Sequence, residues 1–375
     1  MAGIYVHIPF CKQACHYCNF HFSTTLSLQN DFIAALLREI EIQRDYLASQ
    51  TVTTIYFGGG TPSLLSSEQI AAILQAVNSQ FSMAADAELT LEANPDDISA
   101  EKVIQWKQSG INRLSIGVQS FFDEDLVWMN RAHGSQQALN SISIAQDAGI
   151  TNMSIDLIYG GPTLTDERWR SNLETAVKLR VPHLSCYALT VEPGTALQVM
   201  TRKKKVQEVS TEHQATQFHI MTDYLNASGY DHYEISNFAL PGKRSRHNSS
   251  YWSGAHYLGL GPSAHSFNGR SRQWNVANNA LYIQSLKKGE VPLEIEKLSR
   301  TQQLNEYIMT SLRTMEGTDI SRVELQFGKE AAEKLTLDSQ PFKDKGWLQR
   351  ISDRLVLTRE GKLFADGIAS DLFSE

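Results

Sequence analysis

The stretch "IYVHIPFCKQACHYCNF" (residues 4–20) joins a short apolar run to a loop that carries three of the chain's four cysteines. The alternation in "IYVHI" predicts a β-strand, after which Cys11, Cys15 and Cys18 follow with gaps of three and two residues. Three thiolates from one loop can hold three irons of a 4Fe-4S cluster and leave the fourth iron open to a ligand. A zinc site completed by His16 or His21 is the alternative that the spacing alone leaves open.

The strand in this stretch is the first of six similar runs, and helical patterns lie between them. The other runs are 53–57, 88–93, 113–118, 153–159 and 183–189, and the helical patterns cover 28–48, 67–80, 136–148 and 166–179. Strands that alternate with helices predict a parallel sheet with crossover helices. A doubly wound sheet and a barrel share this local pattern, so the pattern does not choose between them.

Reactive or flexible residues stand at the ends of five consecutive predicted strands. They are Cys11, the run Gly58–Gly60, Glu92, Gln119 and, within the fifth strand, Asp156. In β/α barrels such residues meet at the carboxyl ends of the strands and form one shared mouth. We therefore predict an α/β fold, a partial (β/α)6 TIM-like barrel whose mouth collects these side chains.

The composition changes after about residue 235. Residues 237–270 are rich in Gly, Ser, Asn, His and aromatic residues, which predicts a long irregular segment with a functional role. Helical patterns and a hairpin follow: the helices cover 302–313, 319–326 and 330–345, and the hairpin strands are "WLQRI" and "RLVL" around Ser352 and Asp353. Helices followed by a hairpin indicate a small winged-helix-like α+β unit.

These changes divide the chain into three predicted parts. They are a core domain at 1–235, a polar and aromatic connecting segment at 236–299, and a C-terminal domain at 300–375. A chain of 375 residues suits one large domain with a smaller one attached.

The composition argues against several classes of protein. The net charge of −7 and a pI near 5.9 argue against a nucleic-acid binder, because that function needs a basic face. No apolar run reaches the roughly 18 residues needed to span a bilayer, and "MAGIYVHIPF" lacks the basic flank and cleavage site of a signal peptide. Three clustered cysteines do not make a disulfide framework, so we expect a cytoplasmic protein.

The cysteine loop and a glycine turn together resemble a known superfamily. The turn "FGGGTPS" (57–63) follows the second predicted strand, where glycines let a backbone approach a ligand closely. The Cys-x3-Cys-x2-Cys loop followed by this turn is similar to the radical S-adenosylmethionine (SAM) superfamily. The motifs "GIYVHIPFC", "EANP", "RLSIGVQSF", "NRAH" and "IDLIYGGP" extend the resemblance to the oxygen-independent coproporphyrinogen III oxidase-like (HemN-like) family, over essentially the whole chain.

The resemblance implies a role for each matching residue. Cys11, Cys15 and Cys18 match the cluster ligands, and the residues that match SAM contacts or line the same mouth are Tyr5, Gly59, Gly60, Thr61, Glu92, Gln119, Arg131 and Asp156. Ala188 matches a further cofactor contact. In the superfamily, the open iron binds the amino and carboxylate groups of SAM. Two of these residues also have an interpretation without a role in ligand binding. Asp156 would be a buried acid that accepts hydrogen bonds from backbone amides, and Arg131 would form a surface ion pair.

One substitution separates this chain from the oxidases of that family. The oxidases carry a fourth cysteine two residues after the third and have an N-terminal extension, whereas here the position is Phe20 and the first strand starts at Ile4. The remaining cysteine, Cys186, lies inside an apolar run and is interpreted as a core residue.

A second feature is similar to the HemW-type branch of the family. The stretch "HNSSYW" (247–252) matches a His-Asn-x-x-Tyr-Trp motif that is associated with heme binding in that branch. His247 would ligate the heme iron, and the aromatic residues after it would face the macrocycle. His256 and His265 lie close in sequence and compete for the ligand role.

The resemblance implies a heme chaperone, a protein that binds a 4Fe-4S cluster, SAM and heme and delivers heme to acceptor hemoproteins, including respiratory ones. Whether the chain is also an enzyme stays open, and the alternative is SAM-dependent oxidation of coproporphyrinogen III in porphyrin biosynthesis. A zinc-dependent binding protein is a second alternative. Homodimer formation and peripheral contact with membrane partners also stay open.

Overall fold

Parallel strands and their crossover helices form the first part of the chain. The structure, a computed structural model, describes residues 1–206 and 209–374. The strands are β1 (Ala2–Ile8), β2 (Val52–Gly59), β3 (Met83–Ala93), β4 (Arg113–Gln119), β5 (Met153–Tyr159), β6 (His183–Ala188), β7 (Asp231–Glu234), β8 (Asn237–Ala239), β9 (His256–Leu260), β10 (His265–Phe267), β11 (Ser271–Asn275), β12 (Leu293–Lys297), β13 (Thr318–Asp319), β14 (Leu348–Ile351) and β15 (Arg354–Leu357). The helices are α1 (Gln29–Ile42), α2 (Ser67–Gln80), α3 (Ala100–Gln108), α4 (Asp123–Trp128), α5 (Ser135–Asp147), α6 (Asp166–Lys178), α7 (Ala196–Arg202), α8 (Thr211–Ala227), α9 (Arg246–Ser253), α10 (Asn279–Lys287), α11 (Arg300–Leu312), α12 (Ile320–Phe327), α13 (Lys329–Asp338), α14 (Gln340–Asp344) and α15 (Ala365–Asp371).

The sheet is an open barrel rather than a doubly wound sheet. Strands β1 to β6 lie side by side in chain order, and each pairs in parallel with the next. β9 pairs in parallel with the other side of β1, and β8 pairs antiparallel with β6. The twelve strands run in the order β12-β11-β10-β9-β1-β2-β3-β4-β5-β6-β8-β7, with β12 and β7 at the two edges. The predicted partial (β/α)6 barrel is therefore confirmed.

Alternation along β1 separates the hydrophobic core from the barrel interior. Ile4, Val6 and Ile8 are fully buried and belong to the main hydrophobic cluster. The intervening side chains face the opposite side of the sheet, as the period of two requires. There the ring of Tyr5 stacks on the ring of Tyr56 with centroids 6.2 Å apart. The interior of the barrel is consequently aromatic and polar, and this interior leads to the site.

Capping residues fix where the crossover helices begin. Ser66 accepts a hydrogen bond from the Gln69 amide at 3.2 Å, and the Gln69 side chain accepts one from the Ser66 amide at 3.0 Å. This reciprocal pair satisfies two donors at the start of α2, whose bounds are those predicted. Thr165 caps α6 in a similar way. Within residues 1–206 and 209–374, every helix is too short or too polar to span a bilayer.

A second hydrophobic core lies in the C-terminal part of the chain, between residues 304 and 372. Helices α11 to α15 surround it together with a small antiparallel sheet in the order β13-β15-β14. The predicted hairpin is β14 and β15, whereas the helix predicted at 330–345 is split into α13 and α14. Pro341 stands in the first turn of α14, where its missing N–H and fixed φ suit a new helix start. The small α+β unit is confirmed.

Ionic and polar contacts join this C-terminal part to the edge of the barrel. Arg313 donates from Nε to the carboxylate of Glu234 at 3.0 Å, and that carboxylate is buried. Lys362 Nζ lies 3.0 Å from Nδ1 of His232 on β7. These contacts hold residues of the C-terminal part beside the carboxyl end of the sheet.

The expectation of an irregular segment at 237–270 is wrong. This segment contains β8, α9, β9 and β10, and β9 extends the parallel sheet beside β1. The polar composition has a different cause: α9 brings His247 into the barrel interior, where its ring stacks on Tyr56 at 5.1 Å. Because polar side chains such as that of His247 face this interior, a composition typical of loops occurs here in regular helices and strands.

Candidate metal and cofactor site

The loop that carries the three cysteines is held in place by a distant segment, residues 128–130. The Asn130 side chain donates to the carbonyl of Ala14 at 2.7 Å, and the amide of His16 donates to the carbonyl of Met129 at 3.1 Å. The amide of Leu197 donates to the carbonyl of His16 at 2.8 Å. Because the backbone of the loop is fixed at several points, the thiols have a defined arrangement before any metal is bound.

The three thiols are neighbours in a half-buried environment. Burial raises the pKa of Cys11 to about 11, and the nearby Cys15 and Cys18 raise it further because like charges repel. Burial and Cys15 likewise raise the pKa of Cys18. Thr61 Oγ1 lies 3.4 Å from the Cys11 sulfur and donates to it. The metal-free thiols of Cys11 and Cys18 are therefore protonated near neutral pH, and metal binding must release their protons.

The arrangement differs from a site for a single metal ion. Among residues 1–206 and 209–374, no three His, Cys, Asp or Glu side chains converge closely enough to hold one ion. Each of the two histidines that could complete a zinc site, His16 or His21, has one ring nitrogen engaged elsewhere. His16 Nδ1 lies 2.9 Å from the carbonyl of Trp128, and His21 Nε2 lies 2.7 Å from the side-chain oxygen of Asn279. Three thiols from one loop suit an iron–sulfur cluster better than a closed zinc site, which needs four protein ligands.

The glycine turn after β2 packs directly against the start of the cysteine loop. Gly60 donates from its amide to the carbonyl of Ile8 at 2.8 Å, and Thr61 donates to the carbonyl of Phe10 at 2.7 Å. A Cβ at position 60 would lie 2.6 Å from the Phe10 oxygen, and Gly59 has a φ of +106°. Only glycine fits such an approach and such a conformation. The turn therefore fixes the position of the cysteine loop and leaves its own backbone open to a ligand.

Two acidic residues of β3 and β5 lie near the mouth of the barrel. The hydroxyl of Tyr56 donates to Glu92 at 2.7 Å. Burial raises the pKa of Glu92 to about 7, and the neighbouring Asp156 contributes to the rise. Burial also raises the pKa of Asp156 to about 6, against the hydrogen bonds from Ser185 and Ser115. Buried acids with raised pKa values suit a site that receives a cationic or hydroxyl-bearing ligand.

Arg131 connects the cysteine loop to β3 and β4. One terminal nitrogen donates to the Asn94 side chain and to the Gly117 carbonyl, both at 2.8 Å. The other lies 3.4 Å from the Cys15 sulfur and 3.4 Å from the Tyr17 hydroxyl. Arg131 is therefore not a surface ion pair. Its positive charge lies beside the Cys15 sulfur.

A cavity of about 1210 Å³ brings these groups together at the carboxyl ends of the strands. The predicted residues that line it are Cys11, Cys15, Cys18, Gly59, Gly60, Thr61, Glu92, Gln119, Arg131, Asp156 and Ala188. Three thiols, an open glycine turn and two acids form a donor set that fits a 4Fe-4S cluster with SAM beside it.

Two predicted residues lie outside the lining of this cavity. Tyr5 lines a second cavity on the other side of the cysteine loop. His247 lies in the barrel interior, where only 1% of it is exposed. The Thr54 hydroxyl is 2.8 Å from its Nδ1 and the Tyr251 hydroxyl is 2.8 Å from its Nε2. Both ring nitrogens are thus occupied in this conformation, and the ligand role of His247 stays a prediction.

Replacing His247 with alanine should lower the free energy of unfolding by about 2–4 kcal/mol, because two buried hydroxyls lose their partner and a space opens in the interior. Urea denaturation of the metal-free protein measures this difference. The exposed His265 provides a matched control, since its replacement by alanine should change the free energy by less than about 0.5 kcal/mol. Equal effects of the two substitutions would contradict the structural role assigned to His247.

The raised pKa of Glu92 predicts a pH dependence of stability. Between its ordinary pKa near 4.3 and the folded value of about 7, the folded protein holds a proton that the unfolded chain has released. The free energy of unfolding therefore falls as pH rises through this range. From about pH 5 to pH 8, the metal-free protein should lose about 1–2 kcal/mol more than its Glu92→Gln variant. Urea denaturation at several pH values measures this loss, and an exposed control, Glu174→Gln, should follow the unsubstituted protein.

Several residues of the cavity were missed by the analysis of the sequence. Tyr17 and Asn94 contact Arg131, and their motifs "HYC" and "EANP" were the available signals. Lys362 and Phe364 come from the C-terminal part and line the same cavity. Nothing in the local sequence signals these two, because their role depends on how the two parts of the chain pack.

Comparison with known proteins agrees with this fold. Residues 5–176 match the family model described as the radical SAM superfamily, and residues 298–364 match the HemN C-terminal domain. A solved structure described as coproporphyrinogen III oxidase (HemN) from Escherichia coli, a radical SAM enzyme, superposes with a TM-score of 0.85. It is 25% identical in sequence, and the match covers 100% of this chain and 90% of that one. The fold is that of a radical SAM protein.

Relatives that match over the full length identify the family within the superfamily to which this chain belongs. A protein of Mycobacterium tuberculosis named heme chaperone HemW is 35% identical over 375 residues, which cover 99% of this chain and 94% of that protein. The heme chaperone HemW of Bacillus subtilis is 32% identical over 378 residues, which cover 100% of both chains. The chain belongs to the HemW family of radical SAM proteins.

Proposed function

We propose that this protein is a heme chaperone. It binds a 4Fe-4S cluster through Cys11, Cys15 and Cys18, binds SAM beside the cluster, and binds heme for delivery to acceptor hemoproteins. The observation that carries the cofactor assignment is the convergence of three thiols, the glycine turn and two buried acids on one cavity. The names of the full-length relatives support heme as the cargo.

The residues of the cavity have separable roles in this proposal. When bound, the cluster would supply an open coordination position and single-electron chemistry. The turn at Gly59 and Gly60 would let the backbone approach SAM closely. Glu92 would accept hydrogen bonds from an ammonium or from ribose hydroxyls. Arg131 would hold Cys15 in place and balance the charge of the thiolates.

The acceptors would be hemoproteins that receive heme from this chain, with respiratory proteins as the first class to test. This class follows from the family alone. Peripheral contact with membrane-bound acceptors would be compatible with the finding that no described helix spans a bilayer.

A second candidate function is SAM-dependent oxidation of coproporphyrinogen III, which the high structural similarity to HemN favours. The identity of residue 20 argues against it. In the oxidases the family pattern places a fourth cysteine there, whereas this chain has Phe20, with 65% of the residue exposed. The chain therefore offers a different chemical group at the edge of the cluster loop.

One anaerobic experiment separates the two functions. The reconstituted protein is mixed with SAM, a strong reductant and coproporphyrinogen III, and both porphyrin products and 5′-deoxyadenosine are quantified. Iron and sulfide are measured in the same preparation to establish cluster loading, and hemin is titrated in parallel. For a heme chaperone we expect a loaded cluster, heme binding and no decarboxylated porphyrin.

Catalytic decarboxylation of coproporphyrinogen III would make the protein an oxidase and overturn the proposal. A colourless protein with stoichiometric zinc would favour the zinc-dependent binding protein instead. A loaded cluster without heme binding would leave a radical SAM protein whose cargo is not heme.

A further inference from the structure

A second cavity, of about 1170 Å³, lies between the β9–β11 side of the sheet and helices α11 and α12. Its volume exceeds the roughly 300–1,000 Å³ of most small-ligand sites. Tyr251 and Trp252 from the "HNSSYW" motif line it, and so do Tyr257 and Phe267. The rings of Tyr251 and Tyr257 meet edge to face with centroids 4.6 Å apart. Aromatic walls of this kind suit a large, flat and apolar ligand.

Two of the histidines that line this cavity are already hydrogen-bonded. His7 Nε2 lies 2.9 Å from the carbonyl of His21, and its Nδ1 lies 3.2 Å from the Tyr5 hydroxyl. His21 Nε2 lies 2.7 Å from the side-chain oxygen of Asn279. Ligation of a metal by either nitrogen of His7, or by Nε2 of His21, would cost one of these bonds.

The third histidine of the cavity, His265 on β10, is different. Its ring is exposed and stacks on Trp274 with centroids 6.0 Å apart. Within residues 1–206 and 209–374 neither ring nitrogen has a hydrogen-bond partner, so both nitrogens are available. Partial burial and the positive charge of Arg272 lower its pKa, which favours the neutral imidazole that ligates metals.

The two other histidines considered as heme ligands are less suitable. His247 is buried, and its nitrogens lie 2.8 Å from the hydroxyls of Thr54 and Tyr251. His256 Nδ1 lies 2.6 Å from the amide nitrogen of the Gln50 side chain. Neither of these two histidines lines the second cavity.

Two guanidinium groups at the same cavity have no carboxylate partner among the described residues. Arg300 donates to the backbone carbonyl of Gln326 at 2.9 Å, and Arg322 donates to the Gln326 side chain at 3.3 Å. The Arg322 guanidinium also stacks 4.3 Å from the centre of the Tyr307 ring. Both cations are therefore held near one residue while their charge is unpaired. Two neighbouring planar cations without a carboxylate partner bind the carboxylates of a ligand well.

We propose that this second cavity is the heme site of the chain, with His265 as the axial ligand of the iron and Arg300 and Arg322 as partners of the two propionates. The proposal rests on the proposed function, since it locates the cargo of the chaperone. In this proposal Tyr251 and Trp252 of the "HNSSYW" motif form walls of the heme site. His247 of the same motif holds the Tyr251 hydroxyl in place through its Nε2.

The first test uses hemin titration of the full-length protein, with absorbance and affinity measured together. His265→Ala should change the Soret spectrum and weaken binding about tenfold or more, because an axial bond is lost. His256→Ala is the matched control, since it removes an imidazole from the same sheet outside the cavity. His247→Ala should keep the Soret position of the unsubstituted protein. Hemin should still bind in the presence of saturating SAM, because SAM would occupy the other cavity.

The second test addresses the propionates. Arg300→Gln and Arg322→Gln should each weaken hemin binding about threefold to tenfold at low salt without moving the Soret band. Arg270→Gln, an exposed arginine outside the cavity lining, is the control for a general change of charge. With heme dimethyl ester, whose propionates carry no charge, the two arginine substitutions should lose their effect.

The outcomes distinguish the site from the function. If the unsubstituted protein binds no heme, the chaperone proposal fails and the site fails with it. If heme binds but His265→Ala leaves spectrum and affinity unchanged, the function stands and this site is wrong. Mutually exclusive binding of SAM and hemin would place heme in the cysteine-lined cavity and would also overturn the site.

Discussion

Replacement of Cys15 by alanine is expected to abolish the iron–sulfur cluster. Two thiols from one loop cannot hold three irons of a cubane, and Arg131 loses the sulfur that lies 3.4 Å from it. Iron and sulfide contents after anaerobic reconstitution should fall to near zero. The absorbance near ~400 nm that thiolate-ligated clusters show should disappear with them. SAM cleavage under reducing conditions should then be undetectable.

Cys186 provides the matched control for this substitution. It lies in β6, only 1% of it is exposed, and it belongs to the main hydrophobic core. Cys186→Ala should keep the full iron content and cost about 1–2 kcal/mol of unfolding free energy through lost packing. Survival of the ~400 nm absorbance in Cys15→Ala would mean that the loop is not the ligand set.

Replacement of Gly60 by alanine should have the largest effect on stability. The new Cβ would lie 2.6 Å from the Phe10 oxygen and 2.8 Å from the Ile8 oxygen, and both are backbone atoms. Relief of this contact requires the turn to move and to break the 2.8 Å bond from the Gly60 amide to Ile8. The free energy of unfolding should fall by about 3 kcal/mol or more. Reconstitution should also incorporate less iron, since the same turn positions the cysteine loop.

Gly161, which follows β5, is the control for this effect. An added Cβ there would meet only one side-chain atom of Leu189, at 3.9 Å. Gly161→Ala should therefore stay within about 0.5 kcal/mol of the unsubstituted protein in urea denaturation. If the two variants unfold at the same denaturant concentration, the close approach at Gly60 is not as tight as described.

The parallel barrel could be predicted from the sequence because its signals are local. The sequence pattern predicts the fifth strand at 153–159 and α2 at 67–80, and both bounds agree with the structure. Apolar runs and capping residues carry that information within a few positions of the chain. The cavity at the strand ends followed from the same reasoning, since residues after parallel strands must meet at one edge of the sheet.

The features that the sequence did not predict depend on contacts between distant residues. The composition of 237–270, rich in Gly, Ser, Asn, His and aromatic residues, predicts an irregular segment. In the structure His247 faces the barrel interior, and Glu88 accepts hydrogen bonds from the amides of Arg246 and His247. Lys362 reaches the cavity only because the C-terminal part packs on β7. No local pattern encodes either arrangement.

Residues 19 and 20 of the cysteine loop line both cavities, so one short piece of chain has a different neighbour on each side. A ligand in one cavity that fixes the Phe20 ring limits the conformations of that ring that are open to a ligand in the other cavity. Their binding energies are then linked, and the linkage is reciprocal. The order in which ligands bind at the two cavities therefore changes the intermediate state, whereas the free energy of the state with both ligands bound is the same.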